Sequence, residues 1–318
     1  MSHSRANPYR LAGTSRRGRG PICADSPTRG DVPGVSRRGV RARAGSGAAF
    51  YSPTVSSPAP AARPAATVAL LRDAPRPGPG GGWVQVFLQR RVAGMAFAGG
   101  MTVFPGGSVD TGDRPDPALW RGPGAQWWAR QFGCSPDEAG ALVVAAVRET
   151  FEECGVLLAG PGGTTVDPDA RDDLLARRRT LGDVLGAAGL PLRADLLAPW
   201  VRWVTPEAEP RRYDTAFFVA VVPDGQDADA RTTEAVEATW WYPAEALDGA
   251  QRGELRLMPP TLHTLQEIAA HADVAAVLAA AESRVVQVHR PVIHRDGRRV
   301  VVTVPGDPEM EFDVDGLV

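Results

Sequence analysis

Arg148-Glu149-Thr150-Phe151-Glu152-Glu153-Cys154-Gly155-Val156 continues the apolar run 141–147, and the two together predict a helix. On it Glu149, Glu152 and Glu153 fall at i, i+3 and i+4, so three carboxylates share one face. Like charges at those spacings repel. A hard divalent cation, Mg²⁺ or Mn²⁺, relieves that repulsion in an all-oxygen site. Val143, Val147, Phe151 and Cys154 form the opposite, apolar stripe, so the helix can lie on a core while its acidic face meets an opening. Gly155 supplies the stop. Upstream, Phe104-Pro105-Gly106-Gly107 marks a tight turn. A solvated Arg/Glu helix face is the plainer reading of 148–153, but it leaves the glycine turn unexplained.

Gly107 and the run 148–156 together resemble the Nudix box, G-x5-E-x7-R-E-U-x-E-E-x-G-U with U apolar. Thr150 departs from the second half by standing at an apolar position. Counted back from Arg148, the leading Glu of the first half falls on Gly140, with Asp137 or Glu138 as the stand-in. The stretch from Gly107 to Arg148 is longer than the usual box. A long insertion there resembles the coenzyme A diphosphatases related to the peroxisomal Nudix type 19 enzymes.

The resemblance implies a fold and a set of roles. The fold is the Nudix α/β/α sandwich, an α/β class with a mixed sheet between helices, and helices are added after the box and at the C-terminal end. Glu149, Glu152, Glu153 and the Gly106 carbonyl would hold Mg²⁺ or Mn²⁺. Glu149 would orient or deprotonate the attacking water, directly or with Glu234, and Glu237 stands in reserve. Arg148 would hold the glutamates in place by ion pairing. On the substrate side, Arg91 and Gly100-x3-Phe104-Pro105-Gly106-Gly107 fall in register with the upstream motif of coenzyme A Nudix enzymes. Ala96 stands where that motif has an Arg, and Val92 also departs from it. Gly107 belongs to the same substrate-facing turn. The segments 203–206 and 211–217 resemble the Trp-x-Thr-Pro and Arg-Arg-Tyr-Asp-Thr-Ala-Phe stretches of the same subgroup. There Arg211, Arg212 and Tyr213 crowd a strand mouth, which would suit a diphosphate or adenine ribonucleotide. An ion pair between Arg212 and Asp214 is the alternative.

Composition bounds the rest. The 318 residues carry a net charge of −2 and 43% apolar content, enough for one good core with extra elements. Residues 1–64 hold eleven Arg against Asp25 and Asp31, a net of about +9, which leaves about −11 for the remainder. That arm is rich in Ser, Gly, Pro and Ala, buries little, and reads as disordered, with the folded domain spanning 65–318. An Arg-rich leader peptide or a phosphate-binding tail are the sharper readings of it, although no folded basic motif accompanies the arm and nucleic acid is disfavoured as a partner. Cys23, Cys134 and Cys154 lack metal-ligand spacing and predict a reducing compartment. No apolar run is long enough to span a bilayer, so a cytoplasmic protein without a membrane partner is expected. A homodimer stays open.

Strands are expected at 66–71, at 83–89 and in the last part of 210–222, a hairpin is expected at 285–304 turning at Asp296-Gly297, and 233–241 resembles the late Nudix strand. The insertion, 110–137, opens with a Trp-bearing loop at 110–132 that either packs down or serves as a lid. Residues 169–181 have helical spacing with Arg177, Arg178 and Arg179 on a charged face, read as solvated in preference to a phosphate clamp. Short helices are expected at 183–188 and 193–198. The function implied is metal-dependent hydrolysis of a nucleoside diphosphate linked to another group. Coenzyme A or an acyl derivative, cleaved to 3′,5′-ADP and a 4′-phosphopantetheine, comes first. ADP-ribose, NADH and nucleoside triphosphates are the rival substrates, and a ligand sensor or nucleic-acid binder is the rival class.

Overall fold

A computed structural model describes residues 10–11, 60–95, 98–232, 234–297, 299–305 and 309–313. The prediction made for the N-terminal arm falls almost wholly outside them. Strand β1 (Arg63–Asp73) is the spine of a mixed sheet. Its residues are apolar on both sides, as a strand covered by helices on two faces requires. Ala66, Val68 and Leu70 enter one core, and Ala69 and Leu71 enter the other. The remaining strands are β2 (Val84–Arg91), β3 (Thr102–Val103), β4 (Gly106–Ser108), β5 (Leu197–Val204), β6 (Tyr213–Val221), β7 (Ala235–Trp241) and β8 (Val288–His289). The order is β7-β2-β1-β6-β5-β8, with β3 laid on β2 and β4 on β1. The β1/β6 and β5/β8 pairs are parallel, and the others are antiparallel.

One face of the sheet carries α1 (Ala125–Phe132), α2 (Pro136–Cys154), α3 (Ala170–Leu175) and α4 (Leu181–Ala188). The other carries α5 (Pro243–Gln251), α6 (Pro259–Ala269) and α7 (Val274–Ser283), with buried residues of the hairpin β9 (Val292–Asp296) and β10 (Arg299–Thr303) and of β11 (Met310–Asp313). This is the α/β/α sandwich. The hairpin starts later than expected, at Val292, and the short strand Arg10–Leu11 pairs with Met310–Glu311.

Three local expectations are corrected. The insertion holds α1 as well as loop, and Trp128 on that helix is fully buried against Phe132 and Phe218. Its Trp side chains therefore anchor it to the core. Residues 169–181 form only α3, which stops before Arg177, and Thr180 caps a new helix at Leu181. The three arginines thus lie in the turn between α3 and α4. Residues 193–198 form a short strand and a single helical turn that run into β5. Among the described residues, no helix is long and apolar enough to cross a membrane.

Candidate active site

Helix α2 carries the site, and its ends are well defined. The Ser135 hydroxyl caps the start by accepting from the Glu138 N–H at 3.2 Å, Pro136 fits the first turn, and Gly155 closes the helix with φ 74°. Small residues on the inner face, Ala139, Ala145 and Ala146, let the helix press on β1. The acidic face consequently meets β4, where the two glycines lie. A Cβ on Gly106 would fall 2.7 Å from the Thr67 Cα, so only glycine lets β4 pair with β1 here. A Cβ on Gly107 would fall 2.6 Å from the Glu149 Cδ, so that glycine leaves room for the carboxylate. Glu153 is 3% exposed, and its Oε2 accepts from the Gly106 N–H at 2.8 Å and from the Gln89 side-chain amide. The glycine corner therefore meets Glu153 through an N–H.

Arg148 organises the other two glutamates. Its Nη1 donates to Glu149 Oε1 at 2.8 Å and to Glu152 Oε2 at 2.9 Å. Its Nε and Nη2 grip Asp113 at 2.7 and 2.8 Å, and Nη2 also reaches the Ser108 carbonyl. Asp113 is 2% exposed, and it corrects the reading of the box. Counted forward from Gly107, five residues intervene before Asp113, so this Asp stands where the leading Glu belongs and the insertion follows it. Gly140 instead packs on Pro115, where a Cβ would fall 2.8 Å from the Pro115 Cγ. Glu138 lies 3.6 Å from Arg202, and Asp137 sits in the first turn of α2, far along the helix from Arg148. Thr150 is fully buried yet satisfied, its hydroxyl donating to the Ala146 carbonyl at 2.7 Å.

The remaining candidates divide. Arg91, largely buried, pairs with Glu234 at 3.0 Å across β2 and the start of β7. Both lie near enough to Glu153 for their charges to act on it. Glu237 pairs with Arg90 at 3.0 Å, with both side chains half-exposed. Arg211, Arg212 and Tyr213 stand at the entrance to β6. Tyr213 pairs with Arg63, four residues from Thr67, the partner of Gly106, which is about 13 Å along the strand. Arg212 donates to the carbonyls of Thr205 and Pro60, and Asp214 is held by Arg202 at 2.6 and 2.7 Å in place of the alternative Arg212–Asp214 pair.

Burial, and next the neighbouring Glu149 carboxylate, pushes the Glu153 carboxyl well above its ordinary range. Burial likewise lifts Glu149 and Glu152, against the pull of Arg148. Burial would lower the Arg148 pKa, but hydrogen bonding to Asp113 and the adjacent glutamates drives it higher. Among the described residues, no three His, Cys, Asp or Glu side chains form a ready-made metal cluster, because Arg148 draws Glu149 and Glu152 toward itself. The donor set still suits a hard divalent cation. It is all oxygen, it is crowded with carboxylates that burial disfavours in ionised form, and the buried Gln89 Oε1 beside Glu153 has no hydrogen-bond partner.

A sandwich of this topology, with clustered glutamates on a helix above a glycine corner, defines a hydrolase-type site. The model of the NUDT19 Nudix domain matches residues 129–268. A crystal structure of a Nudix hydrolase from Alicyclobacillus acidocaldarius is similar over 70% of this chain and 96% of that one, at 30% identity and a TM-score of 0.57. A Caenorhabditis elegans protein named as a nudix hydrolase is 31% identical over 189 residues, 58% of this chain and 55% of its own length. The human acyl-coenzyme A diphosphatase NUDT19 is 29% identical over 236 residues, covering 61% of this chain and 62% of the relative. The chain thus spans less than two thirds of the length of these two curated relatives. The chain belongs to the Nudix hydrolase family.

Proposed function

We propose that the chain hydrolyses the diphosphate of a nucleoside diphosphate linked to another group, with coenzyme A or an acyl derivative as substrate. The observation that carries this reading is the convergence of Glu149 and Glu153 on Gly107 and Gly106, with Arg148 locked between Asp113 and the glutamates. The name of the human relative and the partial upstream motif around Arg91 support coenzyme A over the other nucleotides.

Glu149, Glu152 and Glu153 would hold Mg²⁺ or Mn²⁺, which would supply charge neutralisation for the diphosphate and acidify water at the site. The protein supplies the rest. Arg148, held on both sides, fixes the directions of Glu149 and Glu152. Glu149 keeps Oε1 on Arg148, which leaves Oε2 to take a proton from the attacking water. The Gly106 N–H and the Gln89 amide hold Glu153 Oε2 and so fix the carboxylate. Water adds to one phosphorus as the bridging P–O bond breaks, giving 3′,5′-ADP and a 4′-phosphopantetheine.

The test is a product-resolved panel of coenzyme A, acyl-coenzyme A, ADP-ribose, NADH and dGTP with each metal. Highest kcat/KM on the coenzyme A pair supports the assignment, and preference for another member replaces it. Glu153→Gln is expected to abolish turnover without unfolding the protein, as circular dichroism would show; retained turnover removes Glu153 from the reaction.

A further inference from the structure

Of the three arginines between α3 and α4, Arg178 and Arg179 are both bound to Asp173. Arg177 turns the other way. Its backbone is left-handed, with φ 55°, a conformation that an L side chain with a Cβ adopts only against steric resistance. The side chain is 82% exposed, and its guanidinium pairs at 2.8 Å with Asp110 on the loop that follows Gly107. The Asp110 N–H in turn donates to Asp113 Oδ2, the carboxylate that grips Arg148. Arg177 therefore stands on the rim of the acidic cleft, and its charge reaches Glu152.

The other arginines around the cleft are engaged. Arg148 spends its donors on Asp113, Glu149, Glu152 and Ser108, and Arg91 is largely buried against Glu234. Arg177 is held by one exposed ion pair, the weakest kind. Its partner Asp110 also accepts from the Thr111 hydroxyl and the Gly112 N–H, so the carboxylate stays satisfied when the arginine leaves. A guanidinium on the rim, apart from the carboxylates that would hold the diphosphate's metal, is suited to a second phosphate on the same substrate.

We infer that Arg177 is a specificity-determining residue that leaves Asp110 to bind a phosphomonoester carried by the substrate outside the hydrolysed diphosphate. This rests on the coenzyme A reading of the site. The substrate so recognised is a nucleotide with a phosphorylated ribose.

The test compares the full chain with its Arg177→Gly and Arg177→Lys variants on coenzyme A and dephospho-coenzyme A. Glycine removes the charge and relieves the backbone, so the melting temperature should hold or rise. KM for coenzyme A should increase about tenfold, as loss of one charge-assisted hydrogen bond gives. KM for dephospho-coenzyme A should stay within about twofold, Lys should restore part of the difference, and raised salt should shrink it. Equal changes on both substrates, or none on either, overturn the role of Arg177 while leaving the enzyme assignment intact. Wild-type protein that cleaves neither compound overturns the coenzyme A reading itself, and the inference with it. A fall in melting temperature with unchanged KM makes Arg177 a structural turn residue only.

Discussion

Asp113 shows how a single residue hides in a sequence. The box was legible where its residues are adjacent, from Arg148 to Gly155, because helical spacing alone puts Glu149, Glu152 and Glu153 on one face. Its first half was legible only forward from Gly107, because the insertion sets Asp113 35 positions before Arg148 and a count back from the helix misses it, and folding then brings the two within 2.7 Å. Asp113→Ala is expected to lower kcat/KM by about 100-fold or more, since Arg148 loses its buried counterion and the glutamates lose their fixed direction. Gly107→Ala should be as damaging without touching a charged group, because its methyl displaces the Glu149 carboxylate. Steady-state kinetics with a thermal melt checks both, and an active Gly107→Ala would show that Glu149 can move without loss. The lifted carboxyls carry a third expectation. Glu149 and Glu153 ionise less readily folded than unfolded, where the ordinary value is 4.5, so above that pH unfolding releases protons and stability falls as pH rises. The metal-free protein should lose melting temperature from about pH 5 to about pH 8, and Mg²⁺ or Mn²⁺ should restore most at the upper end. A flat profile in chelator would mean the carboxyls are not desolvated as drawn.

At the scale of elements, α2 was legible as a helix with its stop at Gly155, but what holds its last turn was not. Arg171, 5% exposed on α3, donates Nε to the Glu152 carbonyl at 2.9 Å and grips Asp229 through Nη1 at 2.7 and 2.9 Å. The Asp229 N–H donates to the Cys154 carbonyl at 2.9 Å. These partners satisfy carbonyls that a helix end leaves open, and they clasp the turn bearing Glu152 and Glu153. Beside them opens a cavity of about 300 Å³ that none of the three α2 glutamates lines. No local pattern links residues 171 and 229, and the helical spacing at 169–181 suggested one long helix instead. The left-handed backbone at Arg177 and the Thr180 capping box broke it. Asp229→Ala is expected to cost about 1–3 kcal/mol in chemical denaturation, below the figure for a fully buried pair because Asp229 is half-exposed. It should also weaken Mn²⁺ binding followed by electron paramagnetic resonance, since the metal-side turn loosens. Unchanged Mn²⁺ affinity with lowered stability would confine the clasp to folding.

For the whole molecule, β1 and β6 are apolar on both faces, so each must be covered twice, and the two helix layers of the sandwich follow from that. The boundary of that sheet is set by hydrogen bonds that composition does not reveal. The Arg63 N–H donates to the Arg212 carbonyl, the Pro64 carbonyl accepts from Val109, and the Pro60 carbonyl accepts from Arg212. Residues 60–64 thus belong to β1 and its approach, although their Ala, Pro and Arg content resembles the arm before them. Two truncations separate these segments. Removing residues 1–58 leaves all three bonds in place, whereas removing residues 1–64 takes them away together with the first turn of pairing between β1 and β6. At roughly 1 kcal/mol for each lost bond, the longer truncation should melt several degrees below the shorter one. Equal melting temperatures for the two would place the effective start of the sheet beyond Pro64 and show that the bonds to Arg63 and Pro60 add nothing to stability.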